Sequence, residues 1–380
     1  VSRASRPEPG AADPRPTQKY IAALDGVRGL AVIGVLLFHC GMLPAGWTGV
    51  QLFFVLSGFL ITGILLDGRR ATLATSMRRF YWRRSLRILP VLCLFLGAAA
   101  LAWFAAGVPQ SFPEDWPWLA AFAANFARLR PGDLGEAFVH MWSLAVEEQF
   151  YLLWPFAVLL LPMSSLRRVV VILLLGVPLA RWGLFAWIEA GHGADYAGRA
   201  VYVLPLSQFD AFAAGAALAI WPRLVAAGTT RNLLAVTALV GLAGFAVLLD
   251  QHLGGAGAFA GSLGYAMYLV PAAGYAWGYS LLNLLFAVFI AAAIHEPWWG
   301  RWLAARPLAF VGRISYGLYV YHLPLLLVAR HWFPEQPGAW WMPANLLVLA
   351  GWAVVSVAVA AASYRLVEKP ILALKDRVRP

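Results

Sequence analysis

Apolar runs of about 20 residues, the length that crosses a bilayer as a helix, recur ten times along this chain. They fall at roughly residues 22–42, 48–66, 88–107, 143–162, 169–189, 201–221, 232–250, 272–294, 308–330 and 343–366. Inside hydrocarbon every backbone N–H and C=O must be bonded within its own segment, which leaves helices or a closed barrel. Runs of this length predict an all-α fold, a polytopic membrane bundle of about ten transmembrane helices. Composition agrees, since 61% of the 380 residues are hydrophobic and 12% charged, against roughly 25% charged in a soluble domain. The stretch 258–294 is rich in Gly and Tyr and broken by Pro271. It reads equally as one span with an interfacial lead-in or as two short ones.

The net charge of +11 would suit a nucleic-acid binder, but the basic residues gather between apolar runs, so they are read as topology. The loop from Asp67 to Arg87 holds Arg69, Arg70, Arg78, Arg79, Arg83, Arg84 and Arg87. Arg167, Arg168, Arg223, Arg231, Arg301, Arg306 and the tail from Lys369 to Arg379 fall on its side. That side is cytoplasmic by the positive-inside rule. The opposite loop, about 108–142, carries Glu114, Asp115, Asp133 and Glu136 against Arg128 and Arg130. An even number of spans puts both termini in the cytoplasm of a multi-pass plasma-membrane protein. Residues 1–19 lack an apolar core and predict a disordered cytoplasmic tail rather than a signal peptide. Residues 20–372 form one transmembrane domain, and 373–380 a second tail. No internal repeat is apparent. Cys40 and Cys93 neither make a disulfide framework nor match a metal spacing, and no metal is predicted.

The chemistry concentrates in a few polar residues inside the apolar runs. DGVRGLAVIGVLLFHC places Arg28 and His39 on one helix face, about 16 Å apart along the axis at 1.5 Å per residue. Ionisable groups in a membrane helix are costly and mark function by default. Asp25, three residues before Arg28, is placed to pair with it. HMWSLAVEEQFYLLWP stacks His140, Ser143, Glu147 and Tyr151 on one face, with Glu148 pointing elsewhere. Glu147 lies near the depth inferred for His39, where a carboxylate would orient the imidazole and raise its basicity. FYWRRSLRILP sets Arg84 and Arg87 at a cytoplasmic rim, which suits several phosphates or, more blandly, an anionic lipid surface. RISYGLYVYHLP aligns Ser315, Tyr319 and His322, with His322 the candidate because membrane tyrosines are commonly interfacial. SYRLVEKP brings Tyr364 and Glu368. Ser57 and Gly58 are read as helix packing, and Asp210 is a buried carboxylate with no partner evident from sequence.

LDGVRGLAVIGVLLFH, GVQLFFVLSGFLITGIL, FYWRRSLRILP, HMWSLAVEEQFYLLWP, ISYGLYVYHLP and SYRLVEKP, in this order and over about residues 20–372, resemble the membrane-bound acyltransferase 3 family. The resemblance implies ten membrane helices and transfer of an acyl group, commonly acetyl from acetyl-CoA, to sugar hydroxyls. Acceptors in such a family are surface glycans, lipopolysaccharide, peptidoglycan or secondary metabolites such as macrolides. It places Arg28, His39, Arg84, Arg87 and Glu147 at functional positions. Gln51 stands where relatives often carry Asp or His, and Gln208 where many carry Arg. The chain is expected to lack the C-terminal SGNH-type domain of some relatives.

The reading that follows from both lines is an acyl-CoA-dependent O-acyltransferase. Arg84, Arg87 and Arg28 hold the phosphates of the donor, and its pantetheine arm reaches toward His39. His39, oriented by Glu147, deprotonates the acceptor hydroxyl, or in a variant route carries the acyl group itself. Asp25, His140, Ser143, Tyr151 and His322 support the site or touch substrate. Cys40 is a poor nucleophile, because adjacent helix positions do not face each other. The partners are acyl-CoA, a sugar-containing acceptor and membrane lipid. A secondary transporter or exporter of a sugar or glycolipid is the rival, and it predicts repeat symmetry. A polyprenyl-linked glycosyltransferase would need metal-binding acids, for which the outer loop lacks the spacing.

Overall fold

The computed structural model describes residues 20–222, 229–253, 262–268, 274–334 and 342–376. The tail expected at 1–19 lies outside them, as do Arg223, Pro271, Arg377 and Arg379. The described residues are helical throughout, with short connections. α1 is Ala22–His39, α2 Thr48–Gly68, α3 Leu73–Ala106, α4 Phe112–Ala120, α5 Ala124–Ala127 and α6 Trp142–Leu160. α7 is Met163–His192, α8 Ala194–Val203, α9 Phe209–Ile220, α10 Thr229–Leu253 and α11 Gly274–His295. α12 is Pro297–Leu303, α13 Arg306–Arg313, α14 Ser315–Trp332 and α15 Pro343–Ser363.

Among the described residues seven helices are long and apolar enough to cross a membrane, and eight segments are if a bent pair is counted. They coincide with the expected runs, but two expected spans, α6 and α14, are not among them. Both are long enough, at 19 and 18 residues. Their apolarity is lowered by the polar side chains they carry, Glu147 and Glu148 in one and His322 with three tyrosines in the other. The count of ten is not established by length and apolarity, and the two helices in question are those that build the site described below.

Three boundaries differ from the sequence reading. The arginine-rich loop at 67–87 is mostly helix, because α3 begins at Leu73 and runs for 34 residues. Arginine is a good helix former, and the Thr72 hydroxyl caps the start by accepting from the Thr75 N–H at 3.3 Å. The run at 201–221 is broken, with α8 and the segment Pro205–Ile220 meeting at 68°. Pro205 has no N–H to continue a ladder and clashes with the preceding turn. The run at 308–330 divides at Ile314 into α13 and α14.

Small residues let the central helices touch backbone to backbone, as in membrane bundles generally. A Cβ on Gly58 of α2 would lie 2.0 Å from the Phe212 carbonyl oxygen, and one on Gly215 of α9 would lie 1.8 Å from that of Val55. The packing role expected for Gly58 is what the structure has. α1 lies against α2, α13 and α14, and α2 lies against α6 and α9. The helix faces bearing Arg28, Ser57 and Glu147 thus meet in the middle of the bundle. On the loop side, Asp115 is fully buried, accepting from Arg130 and from the Gly135 N–H at 2.9 Å. Asp133 is held by Arg128 at 2.7 Å and Arg199 at 3.3 Å. Those acids are committed to arginines.

Candidate active site

Arg28 of α1, Arg84 and Arg87 of α3, Ser57 of α2, Ser143 and Glu147 of α6, and Ser315 and Tyr319 of α14 line one cleft. Three guanidiniums and one carboxylate face it, so the lining carries a net positive charge. Arg28 sits 3.3 Å from Asp25, which also accepts from the Tyr20 hydroxyl at 2.5 Å. The i, i+3 pairing expected from sequence is therefore present.

Arg84 is held by acids on both sides. Its Nη2 lies 3.4 Å from Glu147 Oε1 and 3.4 Å from Glu148 Oε1, and its guanidinium stacks 3.6 Å over the Tyr151 ring. Glu147 also accepts from the hydroxyls of Ser57 and Tyr151. The Nε of Arg84 is buried with no hydrogen-bond partner among the described residues, a donor left over in a cleft wall. Arg84 and Arg87 lie well inside α3 rather than in a loop ahead of it, so their spacing is helical.

The imidazoles form a second group. His39 Nδ1 lies 3.0 Å from the Val35 carbonyl oxygen and 3.2 Å from His322 Nε2. The His322 ring centroid is 4.9 Å from that of His39 and 5.1 Å from that of His140. His140 Nε2 donates to the Val320 carbonyl at 3.1 Å, and its Nδ1 is buried without a partner among the described residues. Tyr319 joins this group to the cleft. Its hydroxyl donates to the His140 carbonyl at 2.7 Å, so its oxygen accepts from Ser143 Oγ at 2.5 Å.

Several expectations about the site change. Glu147 makes no hydrogen bond to His39. It lies on α6 about 6 Å past Ser143 at 1.5 Å per residue, and it is Ser143 that reaches Tyr319, the neighbour of the imidazoles. A carboxylate in apolar surroundings is taken by the nearest guanidinium and hydroxyls, since an unpaired charge there is strongly destabilising. Glu148, expected to point elsewhere, also reaches Arg84. Successive helix positions differ by 100°, so adjacent glutamates can flank one cation between them. Ser57, read as packing, donates to Glu147. Tyr319, read as interfacial, is the link between the groups. The signal for Tyr319 was its i, i+3 spacing to His322. Ser57 left no local signal, because its partner is 90 positions away.

Away from the cleft, Asp210 has a partner after all. Arg181 Nη2 meets its Oδ1 and Ser280 Oγ its Oδ2, both at 2.5 Å. Gln51 and Gln208 are fully buried and bonded to each other at 2.8 Å. The two departures from the family pattern are thus one contact, a neutral amide pair.

Residues 21–363 match the family model described as an acyltransferase domain. The chain belongs to this acyltransferase family. It is 26% identical to the O-acetyltransferase OatA of Staphylococcus aureus (strain NCTC 8325 / PS 47), a match covering 93% of this chain and 57% of that protein. It is 28% identical to the peptidoglycan O-acetyltransferase OatA of Listeria monocytogenes serovar 1/2a (strain ATCC BAA-679 / EGD-e), covering 94% of this chain and 56% of that one. The chain therefore spans a little over half the length of these curated relatives. No solved structure matches it.

Proposed function

We propose that this chain is a membrane O-acetyltransferase that moves an acetyl group from acetyl-CoA to a sugar hydroxyl of a cell-envelope glycan. The observation that carries this reading is the cleft itself. Its guanidinium end suits a polyanionic donor, because Arg pairs with phosphate in planar, bidentate fashion. Tyr319 also lines the cleft, and the rings of His140 and His322 pack behind Tyr319. The relatives support the acetyl group and the glycan acceptor.

Arg28, Arg87 and the part-exposed guanidinium of Arg84, all three lining the cleft, bind the donor phosphates. Asp25 steadies Arg28, while Glu147, Glu148 and Tyr151 hold Arg84 in place. His39 is the general base. As the acceptor oxygen bonds to the acyl carbon, its hydrogen passes to His39, the C–S bond breaks, and the CoA sulfur leaves as a thiolate that is then protonated. Ser143, His140 and Tyr319 line the approach. The protein sits in the plasma membrane with both termini cytoplasmic, residues 20–372 forming the transmembrane unit.

The test is CoA release by purified protein in detergent, with acetyl-CoA and a soluble peptidoglycan fragment as acceptor. His39→Ala is expected to lower turnover by about 10²- to 10⁴-fold, the usual range for a lost general base. Turnover near the wild-type level in that variant would remove His39 from the chemistry.

A further inference from the structure

His322 is fully buried on α14, and its two ring nitrogens have different neighbours. Nδ1 lies 2.6 Å from the Tyr319 carbonyl oxygen. A carbonyl only accepts, so Nδ1 carries the hydrogen and, in the neutral ring, Nε2 carries the lone pair. That lone pair meets His39 Nδ1 at 3.2 Å. His39 Nδ1 also faces the Val35 carbonyl at 3.0 Å, so it too must be an N–H. One hydrogen is shared between two acceptors, and the lone pair of His39 is left on Nε2.

We propose that His322 is the positioning residue for His39. Together with the Val35 carbonyl it holds the Nδ1 hydrogen, and so the tautomer in which Nε2 is basic, and as the acceptor from another helix it fixes the angle of the ring. An orienting acceptor of this kind is what a carboxylate supplies in hydrolase triads, and here a neutral imidazole takes that place. The inference rests on the reading of His39 as general base given above.

When the acceptor hydroxyl attacks, its hydrogen moves to His39 Nε2 and the ring becomes an imidazolium with two N–H groups. The Nδ1 hydrogen stays between Val35 and His322, and His322 keeps its own hydrogen on Nδ1. His140 does not compete, because its N–H is committed to Val320. The turn that carries His322 is tied down from α15, where Trp352 Nε1 donates to the His322 carbonyl at 2.9 Å.

Two amide substitutions separate the two nitrogens. In His322→Gln the side-chain oxygen reaches the place of Nε2 and accepts from His39. In His322→Asn the amide reaches only the place of Nδ1, keeping the bond to Tyr319 and losing the one to His39. The Gln variant is expected to hold kcat within about tenfold of wild type, while Asn and Ala fall by about 10²-fold or more. KM for acetyl-CoA should stay within about threefold in all three, because the donor end is untouched. Asn turning over as fast as Gln, or all three at the wild-type rate, would overturn the proposal. His39→Ala runs alongside. Full activity there sinks the general-base reading, whereas an inactive His39→Ala with three active His322 variants sinks only this inference. Should the variants fail to accumulate, ¹⁵N-histidine NMR of the wild-type protein decides the matter, with His39 assigned through His39→Gln. An Nδ1–H tautomer with a through-hydrogen-bond coupling from His39 Nδ1 to His322 Nε2 is expected, and Nε2–H or the absence of that coupling would overturn the proposal.

Discussion

Two of the arginine–carboxylate clusters in this protein, those of Arg181 and Arg84, are built in opposite ways. Arg181 is closed. Its Nε donates to the Ser207 carbonyl at 2.9 Å and its Nη1 to the Tyr275 carbonyl at 3.2 Å, while Nη2 meets Asp210 at 2.5 Å. The ring of Tyr279 lies 5.1 Å away, and both charged side chains are essentially out of contact with solvent, at 0% and 2% exposed. Arg84 is open. Its contacts to Glu147 and Glu148 are long, its Nε has no partner among the described residues, and its side chain stays 18% exposed to the cleft. A guanidinium with its three nitrogens matched has nothing left to offer a ligand. One that is steadied by two acids and a ring but retains a donor is positioned without being consumed.

Stability and activity should therefore separate between the clusters. The largest effect belongs to Asp210→Ala, which strands a buried cation. It should cost about 3–5 kcal/mol, as for other broken buried pairs, seen as a steep loss of thermal midpoint in detergent. Arg84→Ala should lower stability less than Asp210→Ala, because the acids it leaves stay in contact with the cleft and Glu147 keeps its hydroxyl donors, yet raise KM for acetyl-CoA by about tenfold or more. Equal destabilisation by the two substitutions would erase the distinction between closed and open. Next comes Gln51→Ala, which leaves the Gln208 carbonyl group buried without its donor, at about 1–3 kcal/mol of stability. Because that amide pair lies outside the cleft, KM for the donor should not move, and a shift there would tie the two regions together. The smallest effect is that of Glu148→Gln, which removes one of two acids beside Arg84. A change of about threefold in KM for acetyl-CoA is expected, since partly exposed pairs contribute under about 1 kcal/mol. No change with Glu148→Gln but a large one with Glu147→Gln would assign the positioning of Arg84 to Glu147 alone.

What the chain discloses before folding follows the range of the interactions. Arg28 with Asp25 is an i, i+3 pair, and such neighbours are written in the spacing. The apolar runs are likewise local, so the helices were legible even where their polar content lowers their apolarity, as in α6 and α14. Hydropathy misplaced the start of α3, because arginine ends an apolar run without ending a helix. The break before α9 is written locally in Pro205, which cannot continue the helical ladder. Contacts between helices had no such trace. His39 and His322 are 283 positions apart, and Arg181 and Asp210 are 29 apart on different helices. The face that Glu147 shares with His140, Ser143 and Tyr151 is written in their spacing, but its partner was chosen by estimated depth. Depth along a helix does not say which neighbour that face meets.

The continuity of α3 sets a gauge. Arg84 and Arg87 ride on a single unbroken helix rather than on a loop, so their separation along its axis is about 4.5 Å, set by the rise of the helix. Tilting α3 carries both charges together and leaves that interval unchanged. An anion entering the cleft thus meets a ruler with two fixed marks, and a molecule whose charged groups are spaced otherwise can satisfy one mark but not both.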